Sequence, residues 1–357
     1  MRFAPALLLM VLFSACSASV DEAPTLSDPS WAWQYQDSTA FFIGIHAVNN
    51  QVVWAAGSNG RVVRTEDGGQ SWSTFWVPGT DSLQFRDVHA FDALHAYVIS
   101  IGNGTDSRIY RTVDGGATWD LSFENQDENA FFDCFSFWDP MSGFAFSDSF
   151  EGEFTLIQTS DGGDSWSRID PALVPDARDG EGAFAASGTC VQTWGDQQGW
   201  FATGASAVDT RVFRTADRGA SWSDVVTPIA SQTGSQGIST MSVLDGEHLA
   251  VMGGDFTQRD SIYANVAISS DGGATWTAAT PAPIGGSVFG STYIRGTASP
   301  TLVGVAPTGT AFSIDNATSW SRIDDTNFWT VSSAGIDATW AAGPGGVARL
   351  VPGLKPE

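Results

Sequence analysis

Four side chains, Arg86, Asp133, Glu181 and Asp255, stand out in the sequence as a candidate binding set. An arginine grouped with acids can rim a polar pocket and hold a partner through charge-assisted hydrogen bonds. Further acids occur in the neighbouring irregular segments: Asp176 and Asp179 within the long stretch 170–188, Asp148 and Glu151 before it, Asp209 and Asp260 after it. Loop carboxylates can ligate Ca²⁺, but the sequence has no ordered Asp-x-Asp-x-Asp run, so calcium is the single ion to test and no cofactor is expected. A serine nucleophile lacks a Gly-x-Ser-x-Gly elbow, and a nicotinamide or flavin enzyme lacks a Gly-x-Gly-x-x-Gly run opening a helix.

The elements that must position these residues are set by a repeat. Six stretches read Thr/Ser-x-Asp, then turn residues, then Ser/Thr-Trp. Their aspartates, Asp67, Asp114, Asp161, Asp217, Asp271 and Asp315, are 47, 47, 56, 54 and 44 residues apart. That spacing suits one four-stranded blade per repeat. The aspartate can accept hydrogen bonds from amides of its own turn, the glycines after it can take positive φ, and the tryptophan begins the next strand. Truncating such a tryptophan is expected to cost roughly 3–5 kcal/mol.

Upstream of the turns, residues 62–65, 109–112 and 212–215 read as third strands and 52–57, 96–99 and 199–204 as second strands. First strands lie at 88–91, 135–138 and 191–194. Residues 328–351 add three strands, and 31–35 can supply a fourth. The sequence therefore predicts an all-β, seven-bladed β-propeller whose last blade is closed by the N-terminal strand, which removes an exposed sheet edge.

Aligning the first strands sets Arg86 level with Asp133, which predicts a mutual ion pair. The same alignment sets Cys134 level with Cys190. Neighbouring first strands are expected to lie beyond disulfide reach, so both cysteines read as buried small hydrophobes. His46 and His89 share a register in the core, whereas His95 and His248 fall in turns, and none has a second ligand at metal spacing. Arg64, Arg111 and Arg214 recur just before three of the turns and are expected to pair with backbone or carboxylate groups.

The six turns are identified as Asp-box (BNR) repeats, and the chain resembles the Asp-box propellers. The Arg-Thr-x-Asp-Gly-Gly run, together with strands such as 199–204 and 340–343, most resembles the photosystem II stability/assembly-factor family and its bacterial relatives. Asn316 and Ala317 depart from the paired glycines of that pattern. The resemblance implies a non-catalytic propeller that binds a membrane-protein partner, with its Asp-boxes on the side away from the functional face. The alternative is a glycan-binding propeller or a sialidase-like glycoside hydrolase. The Phe-Arg-Ile-Pro type motif of sialidases is absent, residues 85–87 being the nearest approach, and only Tyr293 remains as a nucleophile candidate.

Residues 1–15 read as a secretory signal, an arginine followed by a short apolar run. Residues 12–16 resemble a lipobox, which makes Cys16 the acylated first residue of an exported, envelope-attached lipoprotein. Residues 16–30 then form a flexible tether, 31–351 the propeller and 352–357 a C-terminal tail. A net charge of −24 excludes generic nucleic-acid binding, so the expected partner is an envelope or membrane protein, with a glycan as the second class. Membrane contact is expected only through the lipid, and the protein is expected to be a monomer.

Overall fold

The computed structural model describes Met1 and residues 23–204 and 209–354. Apart from Met1, the expected signal segment and Cys16 lie outside the described residues. The described chain is built from short antiparallel strands, with two one-turn 3₁₀ segments at Gly104–Asp106 and Pro171–Leu173. Runs rich in Val, Ile, Phe and Thr favour strands, and Gly- and Asp-rich turns cut them short. Second strands such as Val53–Gly57 and Ala96–Ser100 are buried along their whole length, because each sheet is covered by a neighbour on both faces.

These strands form six hydrogen-bonded sheets, which corrects the count of seven. Five are four-stranded meanders, spanning residues 85–124, 132–168, 191–226, 236–278 and 290–324. The remaining sheet has six strands, because Ser30–Ala47 is one continuous strand of 18 residues. Its beginning pairs with the last strand of the chain, Trp31 opposite Leu350 and Gln36 opposite Gly346. Its end pairs with Val53–Gly57, His46 opposite Trp54. Register shifts between Gln36 and Phe41 and between Phe42 and Gly44 bend the strand without breaking it. What the repeats present as separate first and last units is thereby fused. Leu26 is buried and bridges Leu354, so the expected tether is already packed from Leu26 onward and the expected tail pairs back on it.

The innermost strands neighbour one another in order, from Ser30–Ala47 through Phe85–Ala90 and Phe132–Asp139 round to Thr330–Ser333, which returns to Ser30–Ala47. The result is a closed β-propeller around a central bore. Its core lies between sheets, as where the Phe201 ring stacks at 4.4 Å on Phe146 of the adjacent sheet. The fully buried tryptophans are Trp54, Trp200 and Trp340, all on second strands. The indoles of Trp54 and Trp200 donate across to the Asp92 and Gly272 carbonyls of the adjacent sheets. Of the tryptophans after the repeated turns only Trp222 is buried, the others being half-buried. The large truncation penalty expected of that set belongs instead to the second-strand tryptophans.

Cys134 and Cys190 are joined in a disulfide, which corrects their reading as free hydrophobes. Inner strands converge on the bore, and there the two Cα atoms lie 6.0 Å apart, within bridging range. The bond ties two sheets together across 56 residues of chain. A Cys134→Ser/Cys190→Ser variant is expected to unfold about 2–4 kcal/mol more easily in urea. Wild-type protein treated with reductant should match that variant; curves indifferent to both changes would show the bond to be energetically idle.

Candidate functional site

The six aspartate turns share one geometry. In the first, Asp67 accepts from the Ser71 amide at 2.9 Å and the Ser71 hydroxyl at 2.6 Å, while the Thr65 hydroxyl accepts from the Gly69 amide at 2.9 Å. These donors hold the Asp67 carboxyl down at about 2. The same bonds recur in the sixth turn, where Asn316 and Ala317 take the positive φ that glycines take elsewhere. Each turn also docks on the turn between the first two strands of its sheet, as when Gly115 N–H donates to the Leu94 carbonyl and Gly162 N–H to that of Met141. Arg64 and Arg111 reach across to the Gly115 and Gly162 carbonyls of the next sheet. All of these bonds are internal to the scaffold, and they fix the turns at one end of the ring. The loops entering first strands, and those joining second to third strands, lie at the other end.

At that other end the segment 181–190 crosses the bore. Ala183 N–H donates to Asp148 at 2.7 Å, the Ala185 carbonyl accepts from Arg86, and the Ser187 hydroxyl donates to the Phe289 carbonyl at 2.8 Å. Gly188 sits so close to Asp87 that a Cβ would fall 1.9 Å from its Oδ1, which explains the glycine. The run 182–188 is made of small residues apart from Phe184, whose ring turns to the outer pocket. The segment divides the bore into an outer pocket of about 360 Å³ and a channel of about 550 Å³ that opens among the turns.

The outer pocket is walled by aromatic side chains. Trp329 meets Phe41 at 4.7 Å and Phe289 at 4.9 Å, Phe184 meets Phe256 at 5.3 Å, and the Arg86 guanidinium lies 5.6 Å over Trp329. Phe131 and Ala183–Ala186 complete the wall with Asp133 and Asp148. Burial raises the Asp133 carboxyl well above its ordinary range, and the nearby Asp148 adds to the effect. Burial also raises Asp148 to about 6. Burial thus disfavours a charge on Asp133, and its Oδ2 has no partner.

Of the four residues singled out in the sequence, the structure brings Arg86 and Asp133 together in this pocket. No ion pair joins them among the described residues; Arg86 donates instead to Ala185 and to Gln84 at 3.2 Å. Glu181 is fully buried, bonded through its two oxygens to Arg211, to Thr203 at 2.6 Å and to Arg178 N–H at 2.9 Å. Asp255 is also buried and caps its own turn, accepting from the Thr257 amide at 2.9 Å and its hydroxyl at 2.7 Å. These two acids support the loops and do not rim the pocket. The sequence reading missed Trp329, Phe289 and Phe256. An aromatic residue recurs at the entry to several first strands, at Phe41, Phe131, Phe289 and Trp329, and that repeat was the available signal.

The inner channel carries no aspartate turn in its wall. His46 and His89 face each other there at 4.6 Å. Among the described residues no three His, Cys, Asp or Glu side chains are placed to hold a metal ion. Tyr293 donates to Asn316 at 2.8 Å, and burial raises its phenol pKa, the opposite of an activated nucleophile. Burial lowers the His46 pKa from 6.5 to about 4. A lowered imidazole pKa favours folding in full above 6.5, and that contribution is lost as the pH falls toward 4. Replacing His46 by Gln should therefore flatten the acid-side loss of stability, by about 1–3 kcal/mol at pH 4. Denaturant curves collected stepwise from pH 7 to pH 4 check this, and parallel pH profiles for both proteins would count against it.

Neither protein-family profiles nor curated proteins match the sequence. Solved structures do. "YCF48 bound to D1 peptide" superposes with a TM-score of 0.60 at 15% identity, covering 92% of this chain and 98% of the other. YCF48 from Cyanidioschyzon merolae superposes with a TM-score of 0.62 at 16% identity, covering 90% of this chain and 98% of the other. From its repeated turns to its closed ring of sheets, this chain is a β-propeller with the fold seen in the YCF48 structures.

Proposed function

We propose that this protein is a non-catalytic binding scaffold or assembly factor that captures a peptide segment of an envelope membrane protein on the face opposite the aspartate turns. The observation that carries this reading is the aromatic pocket with Arg86 at the centre of that face. Partly exposed aromatics beside an arginine are the side chains that most often dominate protein–protein binding energy. The similar propeller bound to D1 peptide supports a peptide as the kind of ligand. In this reading the turns are Asp-boxes that serve as scaffold, Cys16 carries the lipid that holds the protein at a membrane, and no cofactor takes part.

A photo-crosslinking amino acid placed at Phe256, 43% exposed beside the pocket, tests the face. The control places it at Leu94, 52% exposed among the turns. Native membranes should give a discrete membrane-protein adduct from position 256 that disappears with Trp329→Ala. Adducts from position 94 alone would move the binding face to the other end of the ring. Release of sugar from chromogenic glycosides would replace the scaffold reading with a hydrolase.

A further inference from the structure

The pocket holds two unpartnered polar atoms inside an apolar wall. Asp133 is 1% exposed and its Oδ2 has no partner; Arg86 keeps an unpartnered Nε. Around them stand Ile101, Phe131, Phe256, Phe289 and Trp329. An acceptor and a donor left open at such a depth are costly unless something completes them. Burial disfavours a charge on Asp133 and Asp148, and the two stand beside one guanidinium in the same wall, so the pocket suits neither a strongly anionic nor a strongly cationic group. A neutral group carrying one N–H and one C=O matches both open atoms, and the peptide unit is that group. The volume of about 360 Å³ lies within the range of small-ligand pockets and has room for a large apolar side chain.

We propose that this pocket receives one large apolar side chain from the interior of an extended, uncharged peptide segment, with Asp133 accepting from and Arg86 donating to the backbone amide beside it. The assignment rests on the binding face proposed above and adds the chemistry of the anchor. An acidic segment is disfavoured by the surrounding charge of −24, and a basic one by Arg86 in the wall.

The test uses the folded protein and the probe acetyl-Gly-Ser-Phe-Ser-Gly-amide, with variants carrying Leu, Asp or Lys at the centre, titrated calorimetrically. Phe and Leu probes should bind at least tenfold more tightly than Asp or Lys probes. An ester in place of the central amide N–H should weaken the Phe probe about tenfold in wild type but hardly at all in Asp133→Ala. Should Asp133→Ala fold poorly, Arg86→Gln with the same pair of probes gives the second reading, a loss of about tenfold for amide and ester alike. Equal binding of all four centres, or an ester as good as the amide, overturns the proposal. A position-256 adduct that persists alongside such a result leaves the face assigned and the anchor chemistry wrong, whereas loss of that adduct removes the face itself.

Discussion

Deleting residues 31–36 is expected to abolish the single cooperative melting transition of the ring. That segment is the outer strand along residues 346–351, and without it Gly346–Leu350 becomes an unpaired sheet edge. Trp31 and Trp33 pack on Phe328 at 5.2 and 5.3 Å, and Tyr35 packs on Trp72 at 5.9 Å, so aromatic contacts on both sides of the fused sheet are lost as well. Each such aromatic pair is worth about 0.5–1.5 kcal/mol beyond its buried area. Calorimetry should show a broad transition shifted down by more than about 10 °C, since a loss of several kcal/mol moves a domain of this size that far. A sharp transition at the wild-type temperature would mean that the ring closes without this strand.

Glu181→Ala is expected to cost about 3–5 kcal/mol. The glutamate side chain is 0% exposed and the Arg211 side chain 5%, so truncation leaves a guanidinium in the interior with Asp224, at 2.8 Å, as its remaining carboxylate. Removing both charges, in Glu181→Ala/Arg211→Met, should recover more than half of the loss, because an apolar pair needs no compensation. Urea titrations of the single and double variants decide the matter; a double variant as unstable as the single would show that the loss comes from packing. Glu181 also positions the bore-crossing segment, its carbonyl accepting from Ser149 and its carboxylate from Arg178 N–H. The single variant should therefore weaken adduct formation at position 256 as well as the fold.

What could be read in the sequence was local. The aspartate turns close within seven residues, through bonds from Gly69 to Thr65 and from Ser71 to Asp67, so their repetition carried the fold class. The placing of Arg86 and Asp133 at one end of the bore followed from the same periodicity. The features that escaped depend on chain segments far apart in sequence. Whether Cys134 meets Cys190 depends on how sharply inner strands converge, which no spacing encodes. Glu181 and Asp255 looked like loop acids, but Arg211 drew the first inward and Thr257 satisfied the second. Two units fused into one sheet because Ser30–Ala47 runs on without a turn residue strong enough to end it.

The seam of the ring has a mechanical consequence. Ser30 lies opposite Val351, and Leu26 opposite Leu354, so the beginning and the end of the folded chain emerge side by side from neighbouring antiparallel strands. A load applied between the two termini peels this ladder one hydrogen bond at a time, where a shearing arrangement would stress every bond together. Pulled from both ends the propeller should open at a low, nearly constant force, whereas held by one end alone it bears no load across the seam.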